Sequence, residues 1–182
     1  IAIVLVMVGT TAYITLSSAE ANANKLASRL HQEISENINL QLDDYLEKSE
    51  TLNEQERLIY INSLLKKTNI AKHGKAFVIN RNAKIIATSL EGNSNEDDPS
   101  VATNNDLVFQ NAITHLNRFY DSPGKLRSIA QFQFDVITAK PLSRETWFTQ
   151  ATPYEDNSKK IDWIVITSMP ASYYLAGVRE GN

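Results

Sequence analysis

The chain has 182 residues, 18 of them basic and 21 acidic, for a net charge of −3. That length allows one domain with an appendage or two small domains, and that charge balance supplies no basic stripe for nucleic acid. With no cysteine, a disulfide framework and a thiolate metal site are both excluded, while the compartment stays open.

The amino-terminal run Ile1–Leu16 carries no charged residue, and the first charge is Glu20. It is shorter than the roughly 20 residues that cross a bilayer, and it opens without an initiator Met, so it is expected to be a transmembrane helix (residues 1–18) whose start precedes Ile1. A cleaved signal peptide is the rival reading, less favoured because no basic segment leads into the run.

From residue 19 to about 50 the pattern is that of a long polar helix. Leu26, Leu30, Ile34, Ile38, Leu42 and Leu46 recur every fourth residue on one drifting stripe, with no Pro or Gly between Thr10 and His73. This is the expected stalk, and its stripe is a candidate helix–helix contact between two chains, making a homodimer. Thr51-Leu52-Asn53-Glu54 reads as a capping box that starts a second helix, with Leu58, Ile61 and Leu65 on one face and Lys66 and Lys67 at its carboxyl end.

The stretch His73–Ser89 organises the rest of the chain. Ala76–Asn80 and Lys84–Ser89 flank the polar connection Arg81–Ala83, which predicts a hairpin. Its first strand is apolar on both faces and therefore expects cover on both sides. Leu90–Asp106, with Gly92 and Pro99, reads as a loop. Leu107–Tyr120 reads as a helix with Val108, Ala112 and Leu116 on one face, and Asp121-Ser122-Pro123-Gly124 as a turn. Three strands are expected next: Arg127–Ile137, with Phe132, Phe134 and Val136 alternating against Gln131, Gln133 and Asp135; Glu145–Pro153; and the apolar Ile161–Ser168. Their short links predict an antiparallel meander. A last helix is expected over Ala171–Arg179, with Pro170 at its start. The fold class is α+β, a long helix leading into a five-stranded antiparallel sheet flanked by helices. Phe77 and Trp163 are expected in one sheet-centred core.

Three stretches, in this order, carry a family resemblance: Gly74-Lys75-Ala76-Phe77-Val78-Ile79-Asn80, Lys84-Ile85-Ile86-Ala87-Thr88-Ser89 and Ile161-Asp162-Trp163-Ile164-Val165-Ile166-Thr167-Ser168-Met169-Pro170. Together they resemble the bacterial extracytoplasmic Cache sensor domains, which are PAS-like, over Ala19 to about Val178. The match is to the membrane-proximal module of a double Cache domain. Asn80 and Ala83 depart from the Asp and Gly of the family's hairpin turn. The segment expected of a distal module, with its Arg/Trp/Tyr ligand cluster, is absent between the two first helices, so no ligand is carried over. The resemblance implies that residues 51–182 are a sensor module held in the periplasm or outside the cell by an inner-membrane receptor. The cytoplasmic part would be a histidine kinase, a nucleotide or diguanylate cyclase, or a chemoreceptor. A structural dimerisation module and a periplasmic protein-binding domain are the alternatives.

His31, His73 and His115 lie far apart without carboxylates at ligand spacing, and read as solvated or capping histidines. No phosphate-binding glycine loop, Gly-x-Ser-x-Gly or His-Glu-x-x-His occurs, so this region is read as neither an enzyme nor a cofactor binder. A small-ligand site is expected instead on a sheet face closed by a helix and loop. Its candidate residues are the polar Ser89, Gln131, Gln133 and Gln150, with Phe119, Tyr120 and Phe148 as an apolar wall. Those glutamines offer amide donors and acceptors but no charge, which favours an uncharged or zwitterionic small molecule, or an empty module that relays a signal.

Overall fold

A computed structural model describes residues 18–67, 74–90, 103–139, 142–157 and 161–173. The expected span Ile1–Leu16 lies outside them, as do residues 91–102 of the expected loop and 174–179 of the expected last helix. Among the described residues no helix is long and apolar enough to cross a membrane.

The elements are α1 (Ser18–Ser49), α2 (Glu54–Lys66), β1 (Lys75–Asn80), β2 (Ile85–Thr88), α3 (Leu107–Tyr120), a 3₁₀ turn (Pro123–Lys125), β3 (Ala130–Ala139), β4 (Leu142–Asp156) and β5 (Ile161–Pro170). The strands form one antiparallel sheet in the order β2-β1-β5-β4-β3. The hairpin β1–β2 makes one edge, the meander β3–β4–β5 the rest, and β1 joins them by pairing with β5.

The sheet is covered on both faces, as the apolar character of β1 required. Ala76 and Val78 point into one core with Ile38, Leu42, Tyr45 and Leu46 of α1 and Ile61 and Leu65 of α2. Phe77 and Ile79 point into the other, with Phe109, Ala112 and Leu116 of α3. The expectation of one core for Phe77 and Trp163 is therefore corrected. Phe77 is fully buried under α3, whereas Trp163 is half-buried on the opposite face, packed against the α1–α2 core. Residues of opposite parity on paired strands face opposite ways, and the β1–β5 register sets Phe77 against Ile166 and Trp163 against Asn80.

Local signals account for the element ends, with corrections. The second helix starts at Glu54, not at Thr51. Asn53 is its cap, accepting from the Glu56 backbone N–H at 2.8 Å while its amide donates to the Glu56 carboxylate at 2.6 Å. Thr51 instead donates its hydroxyl to the Lys48 carbonyl at 3.0 Å, satisfying the end of α1. Strand β4 begins at Leu142, three residues early, because residues 142–146 pair with β3 beyond the end of β5. Strand β5 runs past Ser168 to Pro170, which pairs with Trp147 as the last strand residue, and helical backbone begins directly after it at Ala171.

The β1–β2 turn departs from glycine chemistry. Ala83 adopts a positive φ of 62°, and the Asn80 carboxamide oxygen accepts from the Asn82 and Lys84 backbone N–H groups, both at 2.9 Å. Arg81, only 15% exposed, ties this turn to the segments around it. It donates to Asp162 at 2.7 Å, to Glu155 at 3.2 Å and to the carbonyls of Gly124 and Leu126. At the other end of β1, a Cβ on Gly74 would overlap the Ser168 carbonyl oxygen, so the entry to the sheet requires glycine.

Candidate functional site

The pairing register places one cross-strand row of polar and aromatic side chains beneath α3: Phe132 on β3, Thr149 on β4, Ser168 on β5 and Lys75 on β1. Thr149 and Ser168 are fully buried and joined hydroxyl to hydroxyl at 2.7 Å. Lys75 is a quarter exposed and lies 5.4 Å from the Trp147 ring centre. Its ammonium pairs with the Asp106 carboxylate at 2.5 Å, and Asp106 also caps α3 by accepting from Phe109 N–H at 3.0 Å. Just before it, Thr103 is fully buried and its hydroxyl has no partner among the described residues. The row ends on His115, whose ring stacks on Phe132 at 4.0 Å and lies 4.5 Å from Phe119. Burial, reinforced by the nearby Arg118 charge, lowers the His115 pKa from 6.5 to about 4. His115 is thus a neutral aromatic neighbour of the row, not the solvated or capping histidine expected.

The sequence-chosen residues are divided by the sheet. Gln131, Gln133, Phe148 and Gln150 have the parity of the α1–α2 face, and Phe148 belongs to that core. Gln131 donates to Gln150 at 2.7 Å and Gln150 to Thr152 at 3.1 Å, and Gln150 is fully buried although a glutamine strand face ordinarily meets solvent. Phe119 and Tyr120 lie on α3, with Tyr120 against the opposite core and its phenol pKa raised by burial. Ser89 closes the open end of the hairpin, accepting from Ala76 N–H at 2.9 Å. The seven residues therefore do not line one pocket.

Lys75, Asp106, Trp147, Thr149 and Ser168 escaped the sequence reading for separate reasons. Lys75 lies one residue before the expected start of β1, and Asp106 read as a loop residue. Trp147, Thr149 and Ser168 were visible as strand residues, but only the register of three strands puts them beside Lys75. Among the described residues no three His, Asp or Glu side chains are grouped to hold a metal ion. The arrangement brings together a cation beside an aromatic face, a carboxylate at a helix amino terminus and a buried hydroxyl pair. Neither a scan against protein-family models nor a search of curated proteins finds a match to this chain.

Proposed function

We propose that this chain is the extracytoplasmic sensor region of a bacterial transmembrane signalling receptor, and that its ligand is a small zwitterion held on the α3 face. The observation that carries the reading is the Lys75–Asp106 pair in one row with the buried Thr149–Ser168 hydroxyl pair. A carboxylate and an ammonium on one small molecule match Lys75 and Asp106 respectively, and charge-assisted hydrogen bonds offset the desolvation of both. The sheet plan, a hairpin edge joined to a three-strand meander with one helix between them, agrees with what the Cache resemblance implies.

Signalling in this reading is a population shift. A ligand that separates Lys75 from Asp106 alters the cap of α3 and the register row it rests on, and it changes the balance of two sheet–helix arrangements only by its differential affinity for them. Helix α1 and the exit after β5 are the routes by which the change reaches the membrane. A relay module without a ligand is the second reading, and one observation favours it: Lys75 and Asp106 already satisfy each other.

A thermal-shift screen of zwitterionic metabolites decides between them. A true ligand at 100 times its Kd stabilises the chain by about 2.7 kcal/mol. That stabilisation should vanish in Lys75→Gln and in Asp106→Asn, the second of which keeps a capping side chain. No stabilising compound, or stabilisation that survives both substitutions, sinks the α3-face reading.

A further inference from the structure

A cleft lies on the other side of the sheet, between α1 and the start of the β3–β4 pair. Its volume is about 200 Å³ and it is lined by Gln32, Glu36, Asn39, Ile129, Gln131, Gln150 and Thr152. The residues from α1 fall at spacings of four and three, one helical face, and those from the strands share the parity of the α1–α2 face. The wall from the sheet is pre-set, because Gln131, Gln150 and Thr152 form a directed amide–amide–hydroxyl chain.

The electrostatics are one-sided. Among the described residues, Glu36 is the single ionisable side chain in the lining, and no Lys or Arg contributes to it. Asn39 adds a buried carboxamide oxygen with no hydrogen-bond partner among the described residues, and an unmet buried acceptor costs free energy until a donor reaches it. Ile129, 57% exposed, supplies an apolar lip. A cavity of roughly 150 Å³ holds a benzene-sized molecule, so this one takes a compound of up to about eight non-hydrogen atoms. We propose that the cleft is a binding site for a small organic ammonium, whose N–H groups meet Asn39 and Glu36 and whose carbon chain lies on Ile129. Anions are disfavoured, because the unmet Asn39 oxygen is an acceptor and Glu36 is a carboxylate. This site is independent of the α3-face reading: the sheet separates the two, and neither needs the other.

The test uses the full chain, with ethanolamine and butylammonium as probes and butyrate as the control, followed by isothermal titration. Saturable binding of the ammonium compounds and none of butyrate is expected. Asn39→Ala should weaken Kd at least about tenfold, the equivalent of one charge-assisted hydrogen bond. Glu36→Gln, an exposed position, should weaken it about two- to fivefold and flatten its salt dependence. Lys75→Gln should leave ammonium binding unchanged, which separates failure here from failure on the α3 face. Equal binding of butyrate, or ammonium binding unaffected by both Asn39→Ala and Glu36→Gln, overturns the proposal. Circular dichroism of each variant confirms that a loss of binding is not a loss of fold, and Thr152→Val, which removes the last hydroxyl of the sheet wall, gives a second reading should Asn39→Ala unfold.

Discussion

At the scale of single residues, burial sorts side chains that look alike in the sequence. Phe77 and Trp163 both sit mid-strand, yet Phe77 is fully enclosed and Trp163 is half-buried beside Tyr45 and Tyr154. In urea denaturation Phe77→Ala should cost about 3–5 kcal/mol, and Trp163→Ala distinctly less; equal costs would place Trp163 in the core after all. His115 gives a pH signature. Its folded pKa, about 4, lies below the unfolded 6.5, so between those values the unfolded chain holds more protons. Stability from this group is complete above about pH 6.5 and is lost as pH falls toward 4. His115→Phe, which retains an aromatic ring against Phe132, should reduce the difference in urea midpoint between about pH 7 and pH 5. An unchanged difference would mean that the imidazole is open to protonation in the folded state.

At the scale of elements, short hydrogen bonds decide where helices start and how they attach. Asn53→Ala should destabilise the chain by about 0.5–2 kcal/mol, and Thr51→Ala by less, since Thr51 supports only the last carbonyls of α1. The reverse order in thermal denaturation would restore Thr51 as the cap. Beside its apolar packing, α1 is tied to the sheet by Tyr154, whose hydroxyl donates to Asp43 at 2.6 Å; burial first, then that bond, raises the phenol pKa well above its ordinary value. Tyr154→Phe removes a hydrogen bond to a charged acceptor, worth about 1.5–3 kcal/mol, and should raise amide exchange in α1 more than in α3. Uniform exchange across both helices would show that the bond stabilises the whole domain and not the docking of α1.

At the scale of the whole molecule, the carboxyl-terminal half of the leucine stripe packs within the chain. Ile38, Leu42 and Leu46 are buried within the chain against its own sheet, so they are not available to a second copy. The side chains of Leu26, Leu30 and Ile34 lie outside those described. Leu42→Asn should therefore unfold the domain. Leu30→Asn with Ile34→Asn should weaken dimerisation while preserving the circular dichroism of the sheet. Sedimentation of the intact protein checks this, and a monomer before any substitution removes the expected dimer. Fusion of a periplasm-active reporter after residue 173 tests the sidedness that the sensor reading requires.

Local chemistry was sufficient to read much of the fold. The β1–β2 hairpin, the bounds of α3, the meander and the two-sided cover of β1 are stated by alternation, turn residues and apolar runs, because each depends on neighbours within a few positions. The candidate site was not legible in the same way. Which face a strand residue meets depends on its register with strands that arrive from elsewhere in the chain, so Gln131 and Gln150 went under α1 and away from Phe119 and Tyr120. Lys75, Thr149 and Ser168 came together only because β5 lies between β1 and β4. The sequence by itself determined which segments become strands and helices, through periodicity and caps; the tertiary structure alone decided which side chains share a face, because burial is a property of the packed sheet and not of any one strand.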